Sequence, residues 1–343
     1  MNSDASYNFR RTLVAIFVAL FALCIFIPLL YDLAGVRTNL EDTLAPTLVA
    51  QITRKTRVPR TATLAPKISP PSSTERSPQR SDSPQSPLPT VSALNGIAVQ
   101  RVVFISDSAR EHIRDIYALG KSLGRNPRAI SKVGDSTMVY PPFLETFDYK
   151  NYRLGKFAYL QPTIDQHAGS FGRASVAVKK GMHTWSQFEP AWNIPELCTP
   201  DEGPLACEIR LHNPSIAIIR LGANDTEFPT LFERQLGEIV KFCLARGIIP
   251  ALGTKPDRHE GESNLINKLI RKTALAYRVP LWDYDLIAGT IPGRGLEPDG
   301  LHMLGGGTRD FNSRAAMRAG DALEDLTALM VLDEIRRELN DAP

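Results

Sequence analysis

The chain has 343 residues, of which 43% are hydrophobic and 22% are charged, a composition typical of a globular protein with one or two domains. The net charge of +3 is unevenly distributed, because residues 36–97 hold eight basic and four acidic residues, which leaves residues 98–343 at −1. A nearly neutral domain without a basic surface argues against nucleic acid as a partner.

An apolar segment follows the N-terminal tail of residues 1–11. Residues 12–30 carry no charge over nineteen positions, about the length that a helix needs to cross a bilayer. Arg10 and Arg11 precede this segment, which favours a cytoplasmic N-terminus. We expect residues 12–31 to be a single transmembrane anchor with the rest of the chain outside the cytoplasm. A cleaved signal peptide is the alternative, and cleavage would release a secreted protein.

Residues 32–97 have the composition of a linker. Between Pro59 and Pro89 the chain contains eight proline and seven serine residues, with almost no side chains that could build a core. This composition favours an extended, solvated chain. We therefore expect a disordered spacer between the membrane and a folded domain formed by residues 98–343.

From residue 98 the chain alternates between predicted strands and predicted helices. Apolar runs predict strands at 99–106, 129–133, 215–222, 248–254 and 279–285, and amphipathic patterns predict helices at 108–124, 230–247, 262–278 and about 314–339. This alternation is typical of a central parallel sheet covered by helices on both faces, a three-layer α/β/α fold. In such a sheet, ligands bind beyond the carboxyl ends of the strands.

Three short motifs occupy positions where this fold would place a site. Gly134-Asp135-Ser136 follows one predicted strand, Gly222-Ala223-Asn224-Asp225 follows another, and Asp299 precedes His302 by three residues near the C-terminus. Each motif also has a structural interpretation: a turn, a helix cap and a structural histidine. Together they supply a hydroxyl nucleophile, an imidazole base, a carboxylate to orient the base and an amide donor, which are the groups that acyl transfer requires.

With these three motifs in this order, the chain resembles the SGNH, or GDSL-type, hydrolases over about residues 128–335. It is also similar to a bacterial, membrane-anchored branch of that family, and the loop between Cys198 and Cys207 is part of that likeness. The resemblance implies a flavodoxin-like α/β/α fold and a serine esterase that needs no metal and no cofactor. It also implies an ester substrate, either a small molecule or a glycan ester.

The resemblance implies a role for each motif residue. Ser136 would attack the ester carbonyl, His302 would take the proton of the serine, and Asp299 would orient the imidazole. The backbone N–H of Ser136 and the side-chain amide of Asn224 would donate hydrogen bonds to the oxyanion.

The resemblance also implies a glycine N–H that completes the oxyanion hole, and Gly172 and Gly181 both fit this role. We prefer Gly181, because it follows the strand-like residues 175–180 and precedes a predicted helix start. Either glycine could instead be a residue that allows a positive φ. Thr137 departs from the family, which usually has Leu or Ile at this position, and this difference affects packing more than chemistry.

Cysteine usage agrees with export from the cytoplasm. Cys198 and Cys207 flank a loop of eight residues and could form a disulfide in an oxidising compartment, the alternative being two unpaired thiols. Cys243 fits a buried position on a predicted helix. No metal site is expected, since no CxxC motif or histidine pair completes a ligand set.

Two other groups of residues could line a substrate cleft. Lys255, Asp257 and Arg258 follow a predicted strand, although a solvated loop is the preferred interpretation. Trp185 and Trp192 could stack on a sugar ring, although core packing is the more usual role of tryptophan.

The sequence therefore predicts an extracytoplasmic serine esterase, which acts on an ester that could be a carbohydrate ester. One alternative is a polysaccharide O-acyltransferase that uses the same three residues. Another is a surface binding module that keeps the fold without turnover, which would require an incomplete site.

Overall fold

The structure, a computed structural model, describes residues 90–340. Within this range no helix combines the length and the apolar composition that a membrane span requires. The predicted anchor, residues 12–31, lies outside the described residues, as does most of the predicted linker. The described part begins with a hairpin of two short strands, β1 (Ala93–Leu94) and β2 (Ile97–Ala98). Leu94 is buried in the core, so the last residues of the stretch assigned to the linker belong to the folded domain.

A sheet of five strands forms the centre of the domain, in the order β3-β7-β6-β5-β4. The parallel strands are β4 (Asn126–Gly134), β5 (Pro214–Arg220), β6 (Ile249–Gly253) and β7 (Leu281–Trp282). The strand β3 (Val103–Phe104) lies at one edge and runs antiparallel to β7. The sheet is therefore mostly parallel, as the sequence predicts, with one antiparallel edge.

The strand predicted over residues 99–106 is wrong for most of its length. Residues 99–102 form a one-turn helix, α1 (Val99–Val102), and only two residues of the run belong to β3. The strand ends early because the Ser106 hydroxyl caps the next helix by accepting a hydrogen bond from the Ala109 N–H. The strand predicted over residues 279–285 is likewise reduced to the two residues of β7.

Helices cover both faces of the sheet. They are α2 (Asp107–Ser122), α3 (Gln161–His167), α4 (Pro204–His212), α5 (Pro229–Leu244), α6 (Leu265–Tyr277), α7 (Tyr284–Ala288) and α8 (Gly320–Asn340). In β5, Ile216 and Ile218 face the core formed with α2, α3 and α8, whereas Ala217 and Ile219 face the core formed with α4, α5 and α6. This alternation along a strand buried on both sides produces the three-layer α/β/α architecture.

The helix α8 is unusual because it buries four acidic side chains: Asp321, Glu324, Asp325 and Asp333. Each forms an ion pair with an arginine. Buried carboxylates require such partners, because desolvation of an unpaired charge is very costly. The helix therefore contributes ionic as well as apolar contacts to the core.

Candidate active site

The first motif forms a tight turn directly after β4. Asp135 caps a short 3₁₀ helix (Ser136–Met138), and its carboxylate accepts hydrogen bonds from the Thr137 N–H at 2.9 Å and the Thr137 hydroxyl at 2.8 Å. We call residues 135–138 the Ser136 turn. A Cβ atom at Gly134 would lie 2.9 Å from the Arg220 carbonyl oxygen, so the close approach of β4 to β5 requires glycine there. Burial raises the pKa of Asp135.

Residues 175–184, which we call the second segment, lie against the end of β4. The Gly134 N–H donates to the Ala177 carbonyl at 3.0 Å, and Gly134 forms a parallel bridge with Val178. The strand expected at 175–180 does not extend beyond this bridge, and the helix start expected after Gly181 is a 3₁₀ turn at Trp185–Phe188. Gly181 itself has φ +76°, in the left-handed region that favours glycine.

The third motif contacts this second segment in two places. The Asn224 side-chain amide donates to the Met182 carbonyl at 2.9 Å, which uses one of its two N–H groups. The Asp225 carboxylate accepts hydrogen bonds from the Thr184 hydroxyl at 2.9 Å and the Thr184 N–H at 3.1 Å, and burial raises the pKa of this acid. Asp225 thus links the third motif to the second segment. The Asn224 amide keeps one N–H that does not donate to Met182.

The two candidate glycines have different hydrogen bonds. The Gly172 N–H donates to the Asp148 carboxylate at 2.6 Å, so this donor is already used. The N–H groups of Gly181 and Ser136 donate to no acceptor among residues 90–340. Three donors near the carboxyl ends of β4 and β5 therefore remain for a ligand: these two backbone N–H groups and one N–H of the Asn224 amide.

The last motif lies on a loop formed by residues 295–306, which we call the histidine loop. Its two sides are joined by an antiparallel bridge between Leu296 and Met303, and the Glu297 N–H donates to the His302 carbonyl at 2.8 Å. Asp299 Oδ2 lies 2.7 Å from His302 Nδ1, and Asp299 Oδ1 accepts the His302 N–H at 3.0 Å. The hydrogen bond from His302 lowers the pKa of Asp299 to about 2.

The structure pairs two of the three predicted catalytic residues and leaves the third without a hydrogen bond to them. Asp299 is paired with His302, but the Ser136 hydroxyl forms no hydrogen bond with His302 or with any other described residue. The histidine loop does approach the segment that follows Ser136 in sequence, since a Cβ atom at Gly305 would lie 3.5 Å from the Pro141 side chain. Ser136 is 8% exposed, whereas the side chains of His302 and Asp299 are 27% and 49% exposed.

Lys255 and Asp257 do not form a solvated loop, which is a correction of the sequence interpretation. Lys255 Nζ is buried and pairs with the carboxylates of Asp257 at 2.6 Å and Glu260 at 2.5 Å. Arg258 is more exposed and pairs with Asp285. The sequence did not reveal this arrangement, because the spacing of charged residues does not distinguish a buried lysine from a solvated one.

Trp185 and Trp192 lie beside the second segment. Their rings are arranged edge to face with centroids 6.0 Å apart, and both side chains are partly buried. A Cβ atom at Gly181 would lie 3.8 Å from the Trp192 ring. Trp192 thus borders Gly181, and Trp185 packs against Trp192.

Cys198 and Cys207 form a disulfide with a Cα–Cα distance of 5.3 Å, which confirms the predicted pairing. Cys243 is buried on α5, as expected, and burial raises the pKa of its thiol to about 12.

Sequence comparison identifies no relative for this chain: no protein-family model and no curated protein matches it. Solved structures that are similar in fold include TesA, with 16% identity and a TM-score of 0.40 over 60% of this chain and 99% of that one. They also include a putative lipolytic protein of the G-D-S-L family from Desulfitobacterium hafniense (15% identity, TM-score 0.36, 60% of this chain and 99% of that one).

A third similar structure is the esterase EstA from Pseudoalteromonas, with 16% identity and a TM-score of 0.35 over 59% of this chain and 98% of that one. One of these neighbours is thus described as a lipolytic protein of the G-D-S-L family and another as an esterase. At these scores the similarity assigns no role to any residue of this chain.

Proposed function

We propose that this protein is an extracytoplasmic serine esterase in which Ser136, His302 and Asp299 form the catalytic triad. The observation that carries the proposal is the pairing of Asp299 with His302 on a loop that meets the segment following Ser136. Asp299 binds the Nδ1 side of the imidazole and so leaves Nε2 for the serine, which is the arrangement that a general base needs. The disulfide between Cys198 and Cys207 supports a location in an oxidising compartment.

The proposed reaction has two halves. In the first, His302 Nε2 takes the proton of the Ser136 hydroxyl while Oγ attacks the ester carbonyl. The resulting tetrahedral intermediate expels the alcohol, which receives that proton from His302, and Ser136 is left acylated. In the second half, His302 activates a water molecule in the same way, and the acid is released with Ser136 restored.

The negative charge on the carbonyl oxygen needs donors that are already in place. We assign this role to the N–H groups of Ser136 and Gly181 and to the remaining N–H of Asn224, because none of the three is used in the structure. Gly172 is not assigned, because Asp148 already accepts its N–H. Removing one such donor typically costs about 3–4 kcal/mol of transition-state stabilisation.

The mechanism requires the histidine loop to approach Ser136 when substrate binds, since the serine and the imidazole are not hydrogen-bonded in the structure. Hydrogen bonds of this kind are often long in unliganded enzymes and shorten in the substrate complex. The exposed positions of His302 and Asp299 leave room for that movement. A glycan ester would place its sugar near Trp192, which lies next to Gly181, and near Trp185, which packs against Trp192.

The test compares two serine variants of the full chain on short-chain p-nitrophenyl esters. Ser136→Ala should lower kcat/KM by at least about 10³-fold, because the nucleophile is lost. Ser108→Ala is the matched control, since Ser108 also follows an aspartate after a strand but lies exposed at the start of α2. A fluorophosphonate probe should label the native chain and the control, but not Ser136→Ala. If the native chain neither turns over esters nor reacts with the probe, the enzyme proposal is wrong and the binding module remains.

A further inference from the structure

We propose that the buried ion pair of Arg220 and Glu324 positions the Ser136 turn and thereby sets the reactivity of Ser136. This inference rests on the proposed function, since it assigns positioning residues to the same site. Neither residue belongs to the three motifs, and neither would touch the substrate.

Arg220 links the sheet to the turn. It is the last residue of β5 and is 1% exposed. Its Nη2 group donates to the Thr137 carbonyl at 2.7 Å, and its Nη1 group pairs with the Glu324 carboxylate on α8. Because Thr137 follows Ser136 directly, this hydrogen bond holds the backbone one residue beyond the nucleophile.

The surroundings restrict where the guanidinium can go. Its central carbon lies 5.6 Å from the ring centroid of Phe143 and 5.3 Å from that of Trp282, and both rings are buried. The Nε and Nη1 groups form no hydrogen bond with the described residues, so Nη1 contacts Glu324 as an ion pair only. The polar contacts of Arg220 are therefore concentrated on Thr137 and Glu324.

Thr137 is held from two sides. Its N–H and hydroxyl donate to the Asp135 carboxylate, and its carbonyl accepts from Arg220. Without Arg220 the buried carbonyl would lack this donor, and the turn would shift to find another partner. A displacement of about 1 Å at a reacting group can lower the rate about 100-fold.

Stability alone does not explain this ion pair. Replacing a buried ion pair with apolar residues of similar volume is often neutral or stabilising, whereas removing one partner leaves an uncompensated charge. A role in stability and a role in positioning therefore predict different results for a double replacement. Arg220→Met with Glu324→Leu removes both charges and keeps the volume, but it leaves the Thr137 carbonyl without the arginine.

The experiment measures kcat, KM, the rate of fluorophosphonate labelling and the thermal unfolding midpoint of the full chain. The double variant should unfold near the native midpoint while its kcat and labelling rate fall about 10- to 100-fold, with little change in KM. Arg220→Lys should also lose kcat, because one ammonium group cannot reproduce the fork that reaches both Thr137 and Glu324. Arg336→Lys is the matched control, since Arg336 bridges Asp333 and Thr163 elsewhere on α8. This control should keep the native kcat.

Two results would overturn the positioning role: a double variant that folds and keeps the native kcat, or Arg220→Lys with the same kcat as Arg336→Lys. If the double variant does not fold, the comparison of the two lysine variants decides. Failure of the proposed function looks different, because the native chain itself would then neither hydrolyse esters nor react with the fluorophosphonate.

Discussion

Asp299 holds His302 at two points, since one carboxylate oxygen lies 2.7 Å from the ring Nδ1 and the other accepts the His302 backbone N–H at 3.0 Å. The carboxylate thus fixes both the position of the residue and the orientation of its ring. Asn at this position would keep the shape but favour the wrong tautomer of the imidazole.

Asp299→Asn should therefore lower kcat about 10³- to 10⁴-fold with little change in stability. Asp310→Asn is the control, because Asp310 is a nearby acid that pairs with Arg153 instead of a histidine. Steady-state kinetics of both variants give the comparison. Equal kcat values for the two would remove Asp299 from the triad.

The pH dependence of the reaction should show no titration of Asp299 in the working range. The hydrogen bond from His302 lowers the pKa of Asp299 to about 2, so this carboxylate is ionised at every pH well above that value. We expect the acid limb of kcat/KM, measured between about pH 4 and pH 8, to have a slope no steeper than one, because Asp299 adds no protonation of its own. A limb with a slope of two would mean that the carboxylate is protonated together with the base.

Asn224→Ala should lower kcat about 10²- to 10³-fold while KM changes little, because the amide would act on the oxyanion more than on bound substrate. Asn193→Ala provides the control. The Asn193 amide also donates to backbone carbonyls, those of Thr199 and Glu202 in the loop that the disulfide closes, but Asn193 belongs to none of the three motifs. An effect of the same size in both variants would indicate a structural role for Asn224.

Stability should decrease as the pH rises from about 4.5 to 7, in part through Glu324. Burial raises the pKa of Glu324 to about 7, against an ordinary value of 4.5, so the folded state binds more protons than the unfolded state in this window. The contribution of this acid to the free energy of unfolding is fully present below its pKa in the unfolded state. It is lost as the pH rises past its pKa in the folded state, and its upper limit is about 3 kcal/mol. Urea unfolding at pH 5 and pH 8 should show a smaller pH effect in Glu324→Gln. A pH effect as large as the native one would show that other groups cause it.

The disulfide should stabilise the domain by about 2–3 kcal/mol, the amount expected for closing a loop with a sequence separation of 9. A double Cys198→Ser and Cys207→Ser variant should show this loss in chemical denaturation. A reductant should destabilise the native chain and leave the variant unchanged, because the remaining thiol in the described domain, Cys243, is buried. A response of the variant to reductant would point to another disulfide.

Much of the architecture could be predicted from local pattern. The strand at residues 215–222 is recognisable because every position in it is apolar except Arg220 and its ends, and such runs are typical of strands buried on both faces. The strand at 99–106 fails because a serine cap for the next helix ends it, and two competing local preferences cannot be ranked from the sequence. Its antiparallel direction depends on pairing with β7, which lies almost 180 residues later in the chain.

The features of the candidate site likewise fall into those that the sequence determined and those that the tertiary structure decided. The sequence by itself determined the three motifs, their order, and the spacing of Asp299 and His302, because these residues are close along the chain and their chemistry depends on residue type. Only the tertiary structure decided that Gly172 is bonded to Asp148, that Asn224 lies against Met182 and that Arg220 reaches Thr137. These contacts join residues far apart in sequence, and they form because strand order brings distant carboxyl ends to one edge of the sheet.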